Sequence, residues 1–271
     1  MIEILKAVIL GIIQGITEWL PVSSTGHMIL ADEFIHLLGG QNKDFVDLFL
    51  VVIQFGSILA VVTLYFHRLN PFSPVKTAAE KKATWSMWFK VLVAEIPAAV
   101  IGLLFDDAID GALYNWYTVA AMLALYGAAF IIVERKPREA TILSVENITY
   151  KTALFMGVFQ MLALVPGTSR SGATILGAVM LGASRETAAE FSFFLAIPVM
   201  FGASLLKLVK YGFAFTGQEF WLLIIGMATA YLVSLFAIKF LMEFVKKHNF
   251  TAFGWYRIGL AAVVAAYFLL R

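Results

Sequence analysis

The run Leu20-Pro21-Val22-Ser23-Ser24-Thr25-Gly26-His27 interrupts an apolar segment that extends over residues 7–31. A second run, Val165-Pro166-Gly167-Thr168-Ser169-Arg170-Ser171-Gly172, interrupts the apolar segment 152–184. Proline lacks a backbone N–H and the residue before it avoids the helical conformation, so each run should end a helix. Because lipid offers no hydrogen bonds to exposed backbone, such breaks belong inside protein or beside a water-filled cavity. The pattern therefore predicts two helix–loop–helix hairpins that re-enter the membrane; two ordinary kinked helices are the alternative.

The composition around these breaks is that of an integral membrane protein. Of the 271 residues, 61% are hydrophobic and 14% are charged, whereas soluble proteins have about 45–50% and about 25%. The formal net charge is only +2 and the basic residues are scattered, which argues against a nucleic-acid partner. The chain contains no cysteine, so a disulfide scaffold is excluded. The lipid bilayer is therefore the expected partner of this chain.

Six further apolar stretches are long enough to cross a bilayer, which takes about 20 residues in a helix. They are 46–66, 89–105, 112–133, 191–206, 220–238 and 253–270. The charges within them are few, namely Asp47, Lys90, Glu95 and Arg257, and Pro97 is expected to kink its helix. The sequence thus predicts an all-α polytopic membrane protein of about ten helices, with six full crossings and two re-entrant hairpins.

The two breaks belong to an internal repeat. The run Ser23-Ser24-Thr25-Gly26 resembles Ser169-Arg170-Ser171-Gly172 at an offset of 146, and at that offset Phe55-Gly56-Ser57 matches Phe201-Gly202-Ala203. Each half holds one hairpin and three crossings, so the second half should start on the opposite side of the membrane. We expect a single membrane domain over residues 1–271, built from inverted repeats at about 1–135 and 148–271, in which the two breaks meet near the bilayer middle.

The charges of the connections predict the orientation. Basic residues cluster in 67–90, 134–151 and 246–250, whereas 32–47 and 106–111 are acidic. The positive-inside rule then places the three basic connections in the cytoplasm and both termini outside. Lys207 and Lys210 conflict with this scheme, which puts them on the outer side.

The two broken segments contain three ionisable side chains, Glu18, His27 and Arg170. A charge inside a membrane costs several kcal/mol, about 2.5–3.5 on insertion scales, and is a functional candidate by default. The structural alternative is that Glu18 and Arg170 only pair with each other and hold the hairpins together. A charge pair does not need the hydroxyl-rich loops around it, so we favour a functional site.

The hydroxyl residues around these charges indicate an anion-binding site. Ser23, Ser24 and Thr25 should open one helix, and Thr168, Ser169 and Ser171 should open another. Helix N-termini carry free N–H groups and a partial positive charge, so two of them beside the planar guanidinium of Arg170 suit phosphate or carboxylate oxygens. Plain helix capping is the alternative for some of these hydroxyls.

Glu18 and His27 extend the hypothesis from binding to reaction. A carboxylate beside a histidine can orient it or act as a base. Alternatively, Gln14 and Glu18, four residues apart on one helical face, could hold a divalent cation. If a helix begins near Ser24, its side chain can meet that of His27 three residues later. A serine activated by histidine, beside Arg170, is a workable set for phosphoryl transfer.

These motif residues resemble a known family. Residues 14–27, Gln14-Gly-Ile-Thr-Glu18-Trp-Leu-Pro-Val-Ser-Ser24-Thr-Gly-His27, resemble the first signature of bacterial undecaprenyl pyrophosphate phosphatases of the bacitracin-resistance type, and residues 166–174 resemble the second. Residues 52–60 and 190–193 are also similar, so the resemblance covers essentially the whole chain. It implies hydrolysis of the C55 isoprenoid pyrophosphate to the monophosphate carrier and phosphate, which recycles the carrier for peptidoglycan synthesis and gives bacitracin resistance.

The resemblance also implies roles for individual residues. The catalytic set would be Glu18, Ser24 as nucleophile, His27, and Arg170 as the arginine that binds phosphate. The phosphate pocket would be lined by Ser23, Thr25, Ser169, Ser171 and Thr174, together with Gln14. A divalent cation, Mg²⁺ or Ca²⁺, would be held by Glu18 and by Gln14, where the family has Glu or Gln. The family belongs to the bacterial inner membrane, and its site opens to the outer side.

Two further hypotheses stay open. A lipid-phosphate flippase or transporter is the alternative function, because inverted repeats with broken helices are a transporter architecture. The pair Glu18 and His27 separates the two functions, since a pure anion carrier has no need of it. Small residues in the crossings, such as Gly127 and Ala128, could form the face of a homodimer or pack internally.

Overall fold

The computed structural model describes residues 1–40, 42–135, 139–212 and 214–271, without the side chains of Asp106, Asp107 and Asp110. This part of the chain is helical and contains no strand, only an isolated bridge between Ile142 and Ala183. Its α-helices are α1 (Ile2–Thr17), α2 (Ser24–Ile35), α3 (Lys43–Leu64), α4 (Phe66–Leu69), α5 (Ala78–Leu113), α6 (Trp116–Arg135), α7 (Tyr150–Met161), α8 (Arg170–Met180), α9 (Arg185–Tyr211), α10 (Gly217–Lys247) and α11 (Thr251–Leu270).

Six of these helices are long and apolar enough to cross a membrane: α3, α5, α6, α9, α10 and α11. Each overlaps one of the six stretches predicted from the sequence, so the all-α polytopic class with six candidate crossings is confirmed. The stretch 106–111 was expected to be an acidic connection between crossings. It is instead part of α5, which continues to Leu113. No proline interrupts this stretch, so nothing in the chain stops the helix before Gly111. Lys136 and Arg138, two of the basic residues that place the connection 134–151 in the cytoplasm, lie outside the described residues.

The two predicted breaks separate pairs of short helices. The first break follows α1, of 16 residues, and precedes α2, of 12 residues. The second lies between α7, of 12 residues, and α8, of 11 residues, and begins with the 3₁₀ turn Leu162–Leu164. None of these four helices reaches the length of about 20 residues that a crossing needs. The helix–loop–helix elements are therefore confirmed, whereas their re-entry and the inverted repeat stay predictions.

Close packing joins the crossing helices to one another and anchors the first break in the core. α6 and α11 cross at Gly127 and Gly254, where a Cβ added to either glycine would lie 2.7 Å from the carbonyl oxygen of the other. Gly127 thus takes part in packing within the chain, one of the two uses predicted for it. Trp19, in the first break, is fully buried and meets Phe193 of α9 edge to face at 5.4 Å between ring centroids. The break is thereby anchored in the aromatic core.

Candidate active site

The two breaks begin the helices α2 and α8 in the same way. Ser23 is the N-cap of α2 and accepts a hydrogen bond from the N–H of Gly26. Ser169 is the N-cap of α8 and accepts one from the N–H of Gly172. Both serines have a positive φ, which non-glycine residues rarely adopt. Each break therefore presents a helix N-terminus, with its partial positive charge, to the space between them.

An ion pair joins the two breaks. Arg170 Nη2 lies 3.2 Å from Glu18 Oε1, and Nη1 donates to the carbonyl oxygen of Ser192 at 2.8 Å. The guanidinium also lies over the ring of Trp19, 5.8 Å from its centroid. The pairing that was the structural alternative is thus formed, but both side chains remain open to a cavity, with 12% exposure for Arg170 and 7% for Glu18. Arg170 Nε is buried and has no hydrogen bond within the described residues, so one donor of the guanidinium has no partner there.

Glu18 also organises the start of α2. Its Oε2 accepts a hydrogen bond from Ser24 Oγ at 3.3 Å and one from Gln14 Nε2 at 2.9 Å. The Gln14 and Glu18 side chains therefore meet, as their spacing on α1 predicted. Because a carboxylate oxygen accepts from the Ser24 hydroxyl, Glu18 is placed to take its proton.

His27 does not contact Ser24 in the way the spacing suggested. α2 does begin at Ser24, but the His27 ring lies over Tyr256 of α11, at 5.7 Å between centroids. Its Nδ1 is 2.7 Å from the carbonyl oxygen of Ser23, and its Nε2 is 2.7 Å from the Tyr256 hydroxyl. A carbonyl oxygen can only accept, so Nδ1 carries the proton. His27 thus holds the break in place, and Glu18 rather than His27 is the neighbour of Ser24.

Several predicted pocket hydroxyls are used within the protein instead. Ser23 is fully buried and caps α2, which is the alternative function considered for these residues. Ser171 Oγ, 1% exposed, lies within hydrogen-bond distance of the carbonyl oxygens of Glu18 and Leu20, at 3.0 and 3.2 Å, and so ties α8 to the first break. Thr174 is fully buried and contacts the backbone of α8 and Ser192 Oγ. Their partners turn these three side chains away from a ligand, and sequence spacing alone could not show that.

One cavity, of about 220 Å³, is lined by five of the predicted residues but not by Gln14 or His27. Its polar lining consists of Glu18, Ser24, Thr25, Ser169 and Arg170, together with Gln54 and Gln160. Gln54 and Gln160 were not among the predicted site residues. Gln160 lies in the second half at the offset of Gln14, so the repeat contained the signal for it. The cavity combines a guanidinium, two helix N-termini and hydroxyls, which is the donor set that phosphate oxygens require.

Arg257 is a buried charged residue beside the site that the site prediction did not include. It is fully buried in α11 and donates to the carbonyl oxygens of Pro21, Gly167 and Thr168 at 3.2, 3.0 and 2.9 Å. One side chain therefore holds both breaks in their relative position. Its charge within an apolar crossing was the available signal, because intramembrane charges are functional candidates.

Glu18 is the carboxylate in the cavity that could hold a hard divalent cation. Within the described residues there is no group of three or more carboxylate, imidazole or thiol side chains that could form a complete protein site. Glu18 is a single carboxylate, with the amide of Gln14 beside it. Mg²⁺ commonly binds to one or two carboxylates and completes its shell with water and substrate phosphates. The oxygen donors present suit a cation that arrives with a phosphate ligand.

Comparison with known proteins gives the family of this chain. The family model described as bacitracin resistance protein BacA matches residues 7–263. An undecaprenyl-diphosphatase of Enterococcus faecalis is 59% identical and aligns over 97% of both chains. Undecaprenyl-diphosphatase 1 of Clostridioides difficile is 57% identical over 100% of this chain and 98% of its own. An undecaprenyl-diphosphatase of Streptococcus mutans is 54% identical over 99% and 97%, respectively. Since the family model spans most of the chain and these relatives align over nearly their full length, the chain belongs to the BacA family of bacitracin resistance proteins.

Proposed function

We propose that this multi-pass membrane protein hydrolyses undecaprenyl diphosphate to undecaprenyl phosphate and inorganic phosphate. The observation that carries the proposal is the contact of Glu18 with both Arg170 and Ser24 in one cavity between two helix N-termini. The relatives at 54–59% identity are named for this activity. The product is the lipid carrier of cell-wall synthesis, and its regeneration would confer bacitracin resistance.

Binding of the diphosphate would use positive charge from both breaks. Arg170 contributes the guanidinium, and the first turns of α2 and α8 contribute backbone N–H groups. The ligand competes with Glu18 for Arg170, whose Nε is free of protein partners among the described residues. When Arg170 turns to the phosphate, Glu18 keeps its contacts with Ser24 and Gln14 and becomes the available base.

The reaction would proceed by attack of Ser24 Oγ on the terminal phosphorus. Glu18 takes the hydroxyl proton as the O–P bond forms, and the bond from that phosphorus to the bridging oxygen breaks. Undecaprenyl phosphate leaves with the bridging oxygen, while Arg170 stabilises the charge on the transferred group. The departing undecaprenyl phosphate takes the proton from Glu18, which restores the carboxylate. A water molecule then attacks the phosphoserine and loses a proton to Glu18. Glu18 returns that proton to Ser24 Oγ as the serine–phosphorus bond breaks and inorganic phosphate is released.

Glu18 and Gln14 would hold a divalent cation, Mg²⁺ or Ca²⁺, when the substrate is bound. Such an ion would neutralise part of the negative charge of the diphosphate next to the Glu18 carboxylate. The Glu18 carboxylate is the hard donor that supports this assignment, and the Gln14 amide, whose Nε2 donates to Glu18 Oε2, would turn its oxygen to the ion.

The proposal places the protein in the bacterial cytoplasmic membrane, with the site open to the outer side and both termini outside. The clusters of lysine and arginine in 67–90, 134–151 and 246–250 support this orientation. A cysteine added after Arg271 in this cysteine-free chain can test it. A membrane-impermeant maleimide should label that cysteine in intact cells; labelling only after lysis would reverse the orientation.

Phosphate release by the purified protein tests the function. Wild-type protein in detergent should release phosphate from undecaprenyl diphosphate when Mg²⁺ or Ca²⁺ is present, and lose the activity in EDTA. Arg170→Ala should lower kcat by about 10²–10³-fold or more, as removal of a charge-stabilising donor does in other enzymes. The matched control is Arg271→Ala, since Arg271 is exposed and forms its ion pair within the described residues with Glu33, which does not line the cavity. Retained activity in Arg170→Ala would refute the assigned site.

A further inference from the structure

Two helix pairs that the predicted repeat makes equivalent pack differently. At the offset of 146 residues α3 corresponds to α9, and Gly56 corresponds to Gly202. α3 packs along α10, and a Cβ added to Gly56 would collide with the backbone of Met227 in α10. The counterpart of α10 is α5, but α5 touches α9 at few positions. A Cβ added to Gly202 would meet no atom of the described residues within 4 Å, so a gap lies where the other half has a close helix contact.

The two helices that border this gap both contain an interior proline. Pro97 lies within α5 and Pro198 within α9, whereas α3 and α10 contain no proline. An interior proline removes one backbone hydrogen bond and clashes with the preceding turn, which bends the helix. Continuous contact along two such helices is harder to keep than along the proline-free pair. The sequence itself therefore favours an open seam between α5 and α9.

The seam continues into the cavity of the candidate active site. Glu18, Ser24 and Arg170 line the polar part of that cavity. Its wall toward the seam is apolar and comes from α5 and α9, with Ala98, Val199, Met200 and Ala203. The cavity of about 220 Å³ is smaller than the roughly 300–1,000 Å³ of a pocket that encloses a drug-sized ligand. It can therefore hold a phosphate head group, while any long chain has to leave along the apolar wall.

The path beyond the cavity is apolar as well. On α5, Ile96 and Val100 are about half exposed, at 53% and 49%. On α9, Phe201 and Leu205 are similarly exposed, at 51% and 48%. A chain that leaves the cavity through the seam would thus pass from a charged end directly onto hydrocarbon side chains, without crossing a polar surface.

We infer that the isoprenoid chain of the diphosphate substrate lies in the seam between α5 and α9, with Gly202 and Ala203 along its path. The inference rests on the proposed function for the identity of the substrate. The seam is continuous with the anion cavity and apolar along its length, so its occupant is an apolar chain that carries an anionic head. The fold keeps the equivalent α3/α10 contact closed at Gly56, so of these two equivalent positions only the α5/α9 side is open among the described residues.

Cysteine protection tests the seam without relying on turnover. The full-length chain has no native cysteine, so Gly202→Cys and Ala203→Cys each create one reactive thiol, made in a Ser24→Ala background. Gly259→Cys on α11 is the matched control, since a Cβ there also meets no described atom within 4 Å. Undecaprenyl diphosphate at about ten times its Kd should slow maleimide labelling at 202 and 203 about tenfold by mass action. It should leave 259 unchanged, and inorganic pyrophosphate should protect none of the three.

Unprotected thiols at 202 and 203, or equal protection by inorganic pyrophosphate or at 259, would overturn the seam assignment. A second arm uses Gly202→Leu, outside the cavity lining, with Gly259→Leu as control. Gly202→Leu should lower kcat/KM for undecaprenyl diphosphate about tenfold or more and leave hydrolysis of dimethylallyl diphosphate, whose chain is short, within about twofold. An equal loss with both substrates would refute a role in binding the chain. Protection without phosphate release from wild-type protein would refute the proposed function alone, and phosphate release without protection would refute the seam alone.

Discussion

Ser23 and Ser169 share one backbone conformation, with φ of 75° and 73°, and each caps its helix through the N–H three residues later. A non-glycine residue with positive φ stores strain, and such strain concentrates at functional sites. The two serines are 146 residues apart, which is the offset of the predicted repeat. The helix starts of α2 and α8 are thus built alike, and each turns its first N–H groups toward the same space.

Two substitutions at Ser23 should separate the energetic cost of losing the capping hydrogen bond from the cost of the positive φ. Ser23→Ala loses the acceptor for Gly26 and keeps the unfavourable φ, which should cost about 0.5–2 kcal/mol. Ser23→Gly loses the same hydrogen bond but adopts positive φ freely, so it should cost less. Thermal unfolding followed by tryptophan fluorescence should rank the midpoints wild type, Gly, Ala. The same order is expected at Ser169, and an alanine variant as stable as the glycine variant would contradict the assignment of strain.

Glu18 and Ser24 should act as one unit in catalysis. Glu18→Gln keeps a hydrogen-bonding side chain beside Ser24 but removes the base, so kcat should fall by about 10²–10⁴-fold. Ser24→Ala should abolish the phosphoserine that rapid acid quenching traps in the wild type. Because both residues serve the same proton transfer, the double variant should be no slower than Ser24→Ala. Multiplicative losses would show that the two residues contribute independently, and unchanged trapping in Ser24→Ala would identify another nucleophile.

His27 should behave as a positioning residue rather than as the base for Ser24. Its Nδ1 contacts the Ser23 carbonyl and its Nε2 contacts the Tyr256 hydroxyl. His27→Asn can still donate from near the Nδ1 position, so it should retain more activity than His27→Ala. Tyr256→Phe should have a smaller effect than either, and all three should keep the shape of the wild-type pH–rate profile. If His27 were the general base, its replacement would instead remove the acidic limb of that profile.

Features set by residues close together in the sequence were predictable, whereas contacts between residues far apart in the sequence were not. Proline, hydropathy and capping residues act locally, so the breaks at Pro21 and Pro166 and the six crossings were predictable. The expected meeting of Ser24 with His27 rested on helical spacing, but Tyr256, 229 positions away, decides where the imidazole lies. Likewise, the carbonyl partners of Ser171 lie in the first break, and Thr174 contacts Ser192 of α9 as well as its own helix. Local spacing could therefore place these residues on a helix but could not say which of them faces a ligand.

Arg257 should be needed for the stability of the site as well as for its shape. Its guanidinium reaches Pro21, 236 positions away, and also Gly167 and Thr168. Arg257→Met would leave buried carbonyl groups without donors, at about 1–3 kcal/mol for each, so the thermal midpoint in detergent should fall clearly. Arg257→Lys keeps a charge but not the planar fork, and should be intermediate. The control Arg271→Met, at an exposed position, should leave the midpoint unchanged. If the arrangement of the two breaks depends on the Arg257 side chain, phosphate release should fall in Arg257→Lys even at temperatures where this variant remains folded. Full activity of Arg257→Lys at those temperatures would show that the breaks keep their arrangement without the Arg257 guanidinium.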